Sequence, residues 1–184
     1  MIVLILGLGC PSEPVTARPV PSRVDVVAPV ARKAADVDAF CESRGGQPFT
    51  WPQTDAPVAN ASGWTWVNVW ATWCKPCVAE MPMIVKWREK LSAAGLDVAL
   101  EFLSVDAKVD DVVKYQLAHP AIPKGARLQE ISLLAPWLGT IGLDASAVLP
   151  VHLFVDPNHT IRCVRMGALS DYDYDAVQAV IQGK

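Results

Sequence analysis

The chain has 184 residues, which is enough for one folded domain with some additional chain. Lys and Arg total 16 against 19 Asp and Glu, so the net charge is −3 and the positive field that draws proteins to nucleic acid is missing. Hydrophobic residues make up 52% and charged residues 19%, a balance that excludes a disordered chain. We therefore expect a globular domain without a nucleic-acid partner.

The N-terminus has the features of an export signal. Residues 1–9 form an apolar run that ends in small residues directly before Cys10, and the run is shorter than the roughly 20 residues of a membrane span. The pattern resembles a bacterial lipoprotein signal, which implies cleavage before Cys10 and a lipid on that cysteine. The run contains no Lys or Arg, which a start codon upstream of Met1 would explain. The alternative is an apolar N-terminus with an incidental free cysteine.

A proline-rich segment follows the signal. Residues 10–36 contain five prolines, and proline at this density interrupts the hydrogen bonding of helices and sheets. We predict an extended tether there. This leaves residues 37–184 as the folded domain, a common size for one domain.

The predicted domain alternates strands and helices. Residues 64–71 are free of charge and rich in aromatic and β-branched residues, as expected of a strand buried on both faces of a sheet. Apolar spacing and turn residues predict further strands at 98–105, 148–155 and 161–166, and helices at 78–94, 109–118, 131–138 and 174–182. This order predicts an α/β fold with a mixed sheet covered by helices on both sides.

Two cysteines at the start of the second predicted element carry the chemistry. Cys74 and Cys77 follow a buried strand and open a helix, where the unpaired N–H groups favour a thiolate. Cys74 is expected to be the nucleophile that attacks a partner's disulfide, and the deeper Cys77 resolves the mixed disulfide. Pro76 suits the first turn of a helix because its missing donor costs nothing there.

Two other interpretations of the cysteine pair remain open. Half of a zinc site would need two more ligands, and the remaining candidates show no paired spacing: Cys41, Cys163, His119, His152 and His159. We therefore expect no metal and no cofactor. A purely structural bridge is the second alternative, although structural bridges usually join distant segments.

Residues 67–82 (VNVWATWCKPCVAEMP) resemble the active-site segment of the thioredoxin-like family, in particular its membrane-tethered TlpA and ResA type. Weaker similarity runs from about Phe40 to the C-terminus through residues 104–106, 149–150 and Asp156. The resemblance implies a thioredoxin-like fold with an added N-terminal hairpin, an exported location and electron transfer through the cysteine pair.

The resemblance also implies roles for single residues. Pro150 matches the family's cis-proline beside the cysteines, and Glu80 matches a glutamate that helps to move the proton at the buried cysteine. Asn68 stands where thioredoxin has a buried aspartate, which makes Glu80 the expected proton carrier. Trp73 is expected to pack beside the site, with Lys75 between the cysteines. A solvated glutamate, an ordinary strand-start proline and a core tryptophan are the alternatives.

Cys41 and Cys163 are left over once the other cysteines have been assigned. An exported domain keeps few free thiols, which favours a disulfide between the two that fastens the N-terminal hairpin to the late strand. The sequence does not show whether they come within bonding distance.

The combined interpretation is an exported, monomeric thiol-disulfide oxidoreductase on the periplasmic side, anchored through Cys10. It would reduce disulfides of client proteins and take electrons from a membrane thiol donor. Lys75 and Pro76 lack the histidine of strong oxidases, which favours reduction. The Gly-Val-x-Gly stretch that marks dedicated cytochrome c maturation proteins is absent before Pro150, so the sequence does not identify the client protein.

Three other functions were compared with this interpretation. A disulfide oxidase would use the same cysteine pair and would differ from a reductase only in the reduction potential of that pair. A copper(I)-handling module would use the soft thiolates of the pair, but no methionine-rich or histidine ligand set lies near them in sequence. A peroxidase is disfavoured because Thr72 stands two residues before Cys74, where the peroxidatic pattern has three.

Overall fold

A five-stranded mixed sheet forms the centre of the molecule. The computed structural model describes residues 36–58 and 61–183, which belong to a compact unit running from Ala34 to Lys184. The predicted signal, Cys10 and nearly all of the predicted tether lie outside the described residues. The strands are β1 (Trp64–Trp70), β2 (Val98–Ser104), β3 (Ala126–Arg127), β4 (Val151–Val155) and β5 (Ile161–Met166).

The strand order is β3-β2-β1-β4-β5. β2 runs parallel to both β1 and β3, whereas β4 runs antiparallel to β1 and β5. β1 is thus central, which explains its run of apolar and aromatic residues, because both of its faces are covered. The prediction of a mixed sheet flanked by helices is confirmed.

The helices are α1 (Val37–Phe40), α2 (Lys75–Ala93), α3 (Val109–Ala118), α4 (Leu134–Thr140) and α5 (Tyr174–Ile181). Short 3-10 turns, Ile131–Leu133 and Asp171–Asp173, precede α4 and α5. α2 continues through Pro82 for 19 residues and ends before Gly95, which takes a φ of 78° that favours glycine. None of the helices in the described part of the chain combines the length and apolar character of a membrane span.

The N-terminal part of the domain differs from the expected hairpin. Within residues 36–58, the chain forms α1 and then makes isolated bridges, two of them to Thr160 and Val164 on the β5 side of the sheet. Backbone bonds join Glu42 to Val164 and Gly46 to Ile161 over 2.7 and 2.8 Å. The segment therefore covers the free edge of β5, which would otherwise expose unpaired donors and acceptors.

One strand boundary differs from the predictions, and one strand was not predicted. β4 begins at Val151 and not at Val148, because Pro150 has no N–H for a ladder bond. β3 was not predicted, since its two residues carry no periodic pattern.

Candidate active site

The cysteine pair lies at the N-terminus of α2. Cys74 is the N-cap residue of this helix, and its Sγ accepts a hydrogen bond from the N–H of Cys77 over 3.3 Å. The two sulfurs form a disulfide with a Cα–Cα distance of 5.3 Å. Cys74 retains 6% exposure whereas Cys77 has none, so Cys74 is the more accessible of the two cysteines. The division into an attacking and a resolving cysteine stays a prediction.

Glu80 lies one helical turn after Cys77 and is buried, with 4% exposure. Its Oε1 accepts from Asn68 Nδ2 over 2.8 Å, and its Oε2 accepts from the backbone N–H of Leu169 over 2.7 Å. The carboxylate is therefore held from two sides, by β1 and by the loop that follows β5. The alternative of a solvated helix glutamate does not fit this burial.

A histidine completes this buried polar cluster. His152 on β4 is fully buried, and its Nε2 lies 3.3 Å from Glu80 Oε1. Its Nδ1 accepts from Trp66 Nε1 over 3.3 Å and lies 3.4 Å from Asn68 Nδ2. From the sequence alone, His152 is a candidate only as a zinc ligand. A single polar residue inside an otherwise apolar predicted strand was the signal that could have identified it.

The loop between β1 and α2 is held by hydrogen bonds to Asp106, which follows the end of β2. Asp106 is buried, and its carboxylate accepts from the N–H of Thr72 over 2.9 Å and from the Thr72 hydroxyl over 2.7 Å. The Ser104 hydroxyl donates to the same carboxylate over 2.8 Å. Because Thr72 is two residues from Cys74, these bonds hold the approach to the disulfide.

Pro150 is buried and follows a cis peptide bond at the start of β4. It adjoins a groove of about 680 Å³, lined almost entirely by apolar side chains and by Cys74. The walls come from the β1–α2 junction, from α4 with its preceding turn, and from the chain before β4: Trp73, Lys75, Pro76, Val105, Ile131, Leu134, Leu138, Ala147, Val148, Leu149 and Val151.

The residues around the cysteines are exposed. Trp73 has 67% of its surface accessible and forms part of the groove, so it is not a core residue. Lys75 and Pro76 are exposed at the start of α2. The site thus joins an accessible apolar rim to a buried polar interior, with the disulfide between them.

The second cysteine pair lies away from this site. Cys41 and Cys163 form a disulfide with a Cα–Cα distance of 5.4 Å, which joins the segment after α1 to β5. Both sulfurs are buried. Within residues 36–58 and 61–183, no group of three or more His, Cys, Asp or Glu side chains is arranged to hold a metal ion.

Sequence comparison finds thiol-disulfide oxidoreductases. The chain is 29% identical over 108 residues to the thiol-disulfide oxidoreductase ResA of Oceanobacillus iheyensis, covering 56% of this chain and 50% of that protein. Structure comparison finds a candidate thiol:disulfide interchange protein DsbE from Chlorobium tepidum, with a TM-score of 0.54 at 19% identity over 76% of this chain and 94% of that one. This chain is similar in sequence to ResA and shares the fold of the DsbE structure.

A second solved structure shows the same fold. The chain matches a secreted thiol-disulfide isomerase from Corynebacterium glutamicum with a TM-score of 0.52 at 22% identity, over 66% of this chain and 72% of that one. No protein-family model matches the chain. The chain spans about half of the length of this ResA.

Proposed function

We propose that this chain is an exported thiol-disulfide oxidoreductase that reduces disulfides of client proteins through Cys74 and Cys77. One observation carries the proposal. The disulfide caps a long helix, and Cys74 lines the apolar groove whereas Cys77 is fully buried. This asymmetry suits dithiol exchange, because one sulfur meets the client while the other is kept for resolution.

The reaction follows from the positions of the groups. In the reduced protein the Cys74 thiolate attacks a client disulfide and forms a mixed disulfide, and one client sulfur leaves as a thiolate. Cys77 then gives its proton to Glu80 and attacks the Cys74 sulfur, which releases the second client thiolate. Two electrons pass from the protein to the client, and the Cys74–Cys77 disulfide remains. A thiol donor at the membrane restores the dithiol.

Other groups support single steps of this reaction. The N-terminal N–H groups of α2 stabilise the Cys74 thiolate. Pro150 is proposed to present its backbone to the client chain, and the apolar groove would receive client residues beside the cysteine. The proposal assigns the proton-carrier role to Glu80, beside Asn68. It places three residues next to or between the cysteines, where they shape the site: Trp73, Lys75 and Pro76.

The proposal places the protein outside the cytoplasmic membrane as a monomer, with Cys10 as the lipid-bearing residue. The secreted relative of the same fold supports export. The second disulfide supports it as well, since structural disulfides persist in oxidising compartments.

The direction of transfer can be tested by measuring the reduction potential of the Cys74–Cys77 couple in the full chain with Cys10→Ser. The protein is equilibrated in dithiothreitol buffers, the thiols are alkylated, and the fraction reduced is read from peptide masses. We expect a value at or below about −270 mV, as in thioredoxin. A value near about −120 mV would indicate an oxidase. Cys74→Ser and Cys77→Ser are the matched controls, and neither should titrate.

A Cys74–Cys77 pair that does not titrate in the Cys10→Ser chain would overturn the exchange function. Copper(I) binding by the two thiolates would then be the function to examine, because soft sulfur ligands suit that ion.

A further inference from the structure

The protonation of His152 can be assigned from its neighbours. Its ring is fully buried on β4, and its Nδ1 lies 3.3 Å from Trp66 Nε1 and 3.4 Å from Asn68 Nδ2. An indole nitrogen can only donate, so Nδ1 accepts and the ring proton lies on Nε2. The Asn68 amide nitrogen must point the same way, because it also donates to Glu80 Oε1 over 2.8 Å.

The proton on Nε2 points into the site. Nε2 lies 3.3 Å from Glu80 Oε1, yet the contact is not well directed and Nε2 has no other hydrogen-bond partner. A buried N–H without a good acceptor is costly, so a small movement that improves this contact is favourable. The nearest acceptor is the carboxylate to which the proposed mechanism assigns the proton of Cys77.

The charged groups around the ring are few. Glu80 faces it from α2, and Arg165 lies opposite it on β5. The Arg165 guanidinium is directed away, towards the Phe40 carbonyl and Glu42 at 3.4 and 3.5 Å. Because Nδ1 faces two donors, the ring N–H that can reach Glu80 is the one on Nε2.

We propose that His152 is a positioning residue for Glu80 in the resolving step. This proposal rests on the proposed function. The neutral ring, fixed by Trp66 and Asn68, holds Glu80 Oε1 in place while the carboxylate takes the proton of Cys77. The resulting Cys77 thiolate attacks Cys74, the new disulfide forms, and the client sulfur departs with the electron pair of the broken bond. The proton stays on Glu80 until solvent or the next reduction removes it.

The resolving step can be observed separately with 5,5′-dithiobis(2-nitrobenzoic acid). Attack by Cys74 releases one thionitrobenzoate, and attack by Cys77 on the mixed disulfide releases the second. The full chain with Cys10→Ser is used, reduced so that Cys41 and Cys163 stay bonded. We expect His152→Leu to slow the second release about tenfold near neutral pH while the first release keeps its rate. The rate of the second release should also continue to rise to higher pH than in the parent chain.

Matched variants separate positioning from general loosening of the core. His152→Gln keeps an N–H donor and should recover most of the rate. Phe154→Leu perturbs the same strand, since Phe154 is equally buried and its ring lies 5.2 Å from the Trp66 ring, and it should leave the profile unchanged. In a Glu80→Gln background, His152→Leu should have little further effect.

The proposal fails if the His152→Leu and parent profiles coincide, if Phe154→Leu gives the same shift, or if the effect persists undiminished in Glu80→Gln. Failure of the proposed function looks different, because the parent chain would then release only one thionitrobenzoate or none.

Discussion

At the scale of single residues, Glu101 lies in the middle of β2, opposite Val67 of the central strand. Burial raises the pKa of its carboxyl above the usual value by desolvating the charged form. The folded protein therefore holds this proton more tightly than the unfolded chain, so stability falls as pH rises from the unfolded pKa through the raised one. At neutral pH the ionised carboxylate destabilises the fold.

Glu101→Gln should accordingly raise the free energy of unfolding at pH 7 by up to about 1 kcal/mol, a gain limited by partial hydration of a half-buried group. At pH 3.5, where the acid is protonated in both states, the difference should vanish. Urea unfolding at the two pH values measures this. Glu89→Gln on the exposed side of α2 is the control and should change little. An equal gain at both pH values would show that the charge is not the cause.

At the scale of elements, the junction of β1 and α2 depends on a carboxylate that comes from the end of β2. Asp106 accepts from the N–H and the hydroxyl of Thr72 and from the hydroxyl of Ser104. An amide in its place would lose the charge that strengthens these bonds, and its NH2 group would need one of the hydroxyls to turn and accept.

Asp106→Asn should therefore lower the free energy of unfolding by about 1 to 3 kcal/mol, measured by urea unfolding of the full chain. The variant should also slow the attack of Cys74 on 5,5′-dithiobis(2-nitrobenzoic acid), because the loop that carries Cys74 loses its fixed position. Asp110→Asn, in the exposed first turn of α3, should cost no more than about 0.5 kcal/mol. Unchanged stability in Asp106→Asn would contradict this account of the loop.

The elements that the sequence predicts well are those with long apolar runs. β1, β2, β5 and α3 lie within a residue of their predicted bounds, because buried strands and one-sided helices leave periodic patterns. β3 and the contacts of the N-terminal segment leave no such pattern, since short bridges depend on which strand edge is free. That information comes from the assembled sheet and not from local sequence.

Part of the candidate site could likewise be predicted from local sequence, and part of it could not. The cysteine spacing and the helix start placed Cys74, Cys77 and Glu80 on one element, so their neighbourhood could be predicted from spacing. The contact between Glu80 and His152 spans 72 positions of sequence and depends on the register of β1 against β4, which pairs Asn68 with His152. One residue of slip would turn His152 to the other face of the sheet.

At the scale of the whole molecule, the disulfide between Cys41 and Cys163 closes a loop with a sequence separation of 122 residues. A cross-link over so long a loop removes much conformational freedom from the unfolded chain. It also holds the segment that covers the edge of β5.

Replacing Cys41 and Cys163 together by alanine should lower the free energy of unfolding by about 2 to 5 kcal/mol, measured by urea unfolding without reductant. Reaction with 5,5′-dithiobis(2-nitrobenzoic acid) should persist under native conditions, because neither Cys41 nor Cys163 lines the groove. The Cys74→Ala, Cys77→Ala double variant is the matched control and should lose less stability, since its loop spans three positions. An unchanged unfolding midpoint in the first variant would refute the stabilising role.

The position of that bond also decides how the domain bears force. A pull applied through residues that precede Asp36 reaches Cys41 after one short helix and then passes through a covalent bond into β5. The hydrogen bonds between the N-terminal segment and the sheet edge are thereby shielded from the load and cannot be unzipped in sequence. In the pairing of β5 with β4, Cys163 lies opposite Phe154. β4 itself begins directly after Pro150. Tension that enters through the N-terminal segment is thus passed by the disulfide to β5 and its sheet.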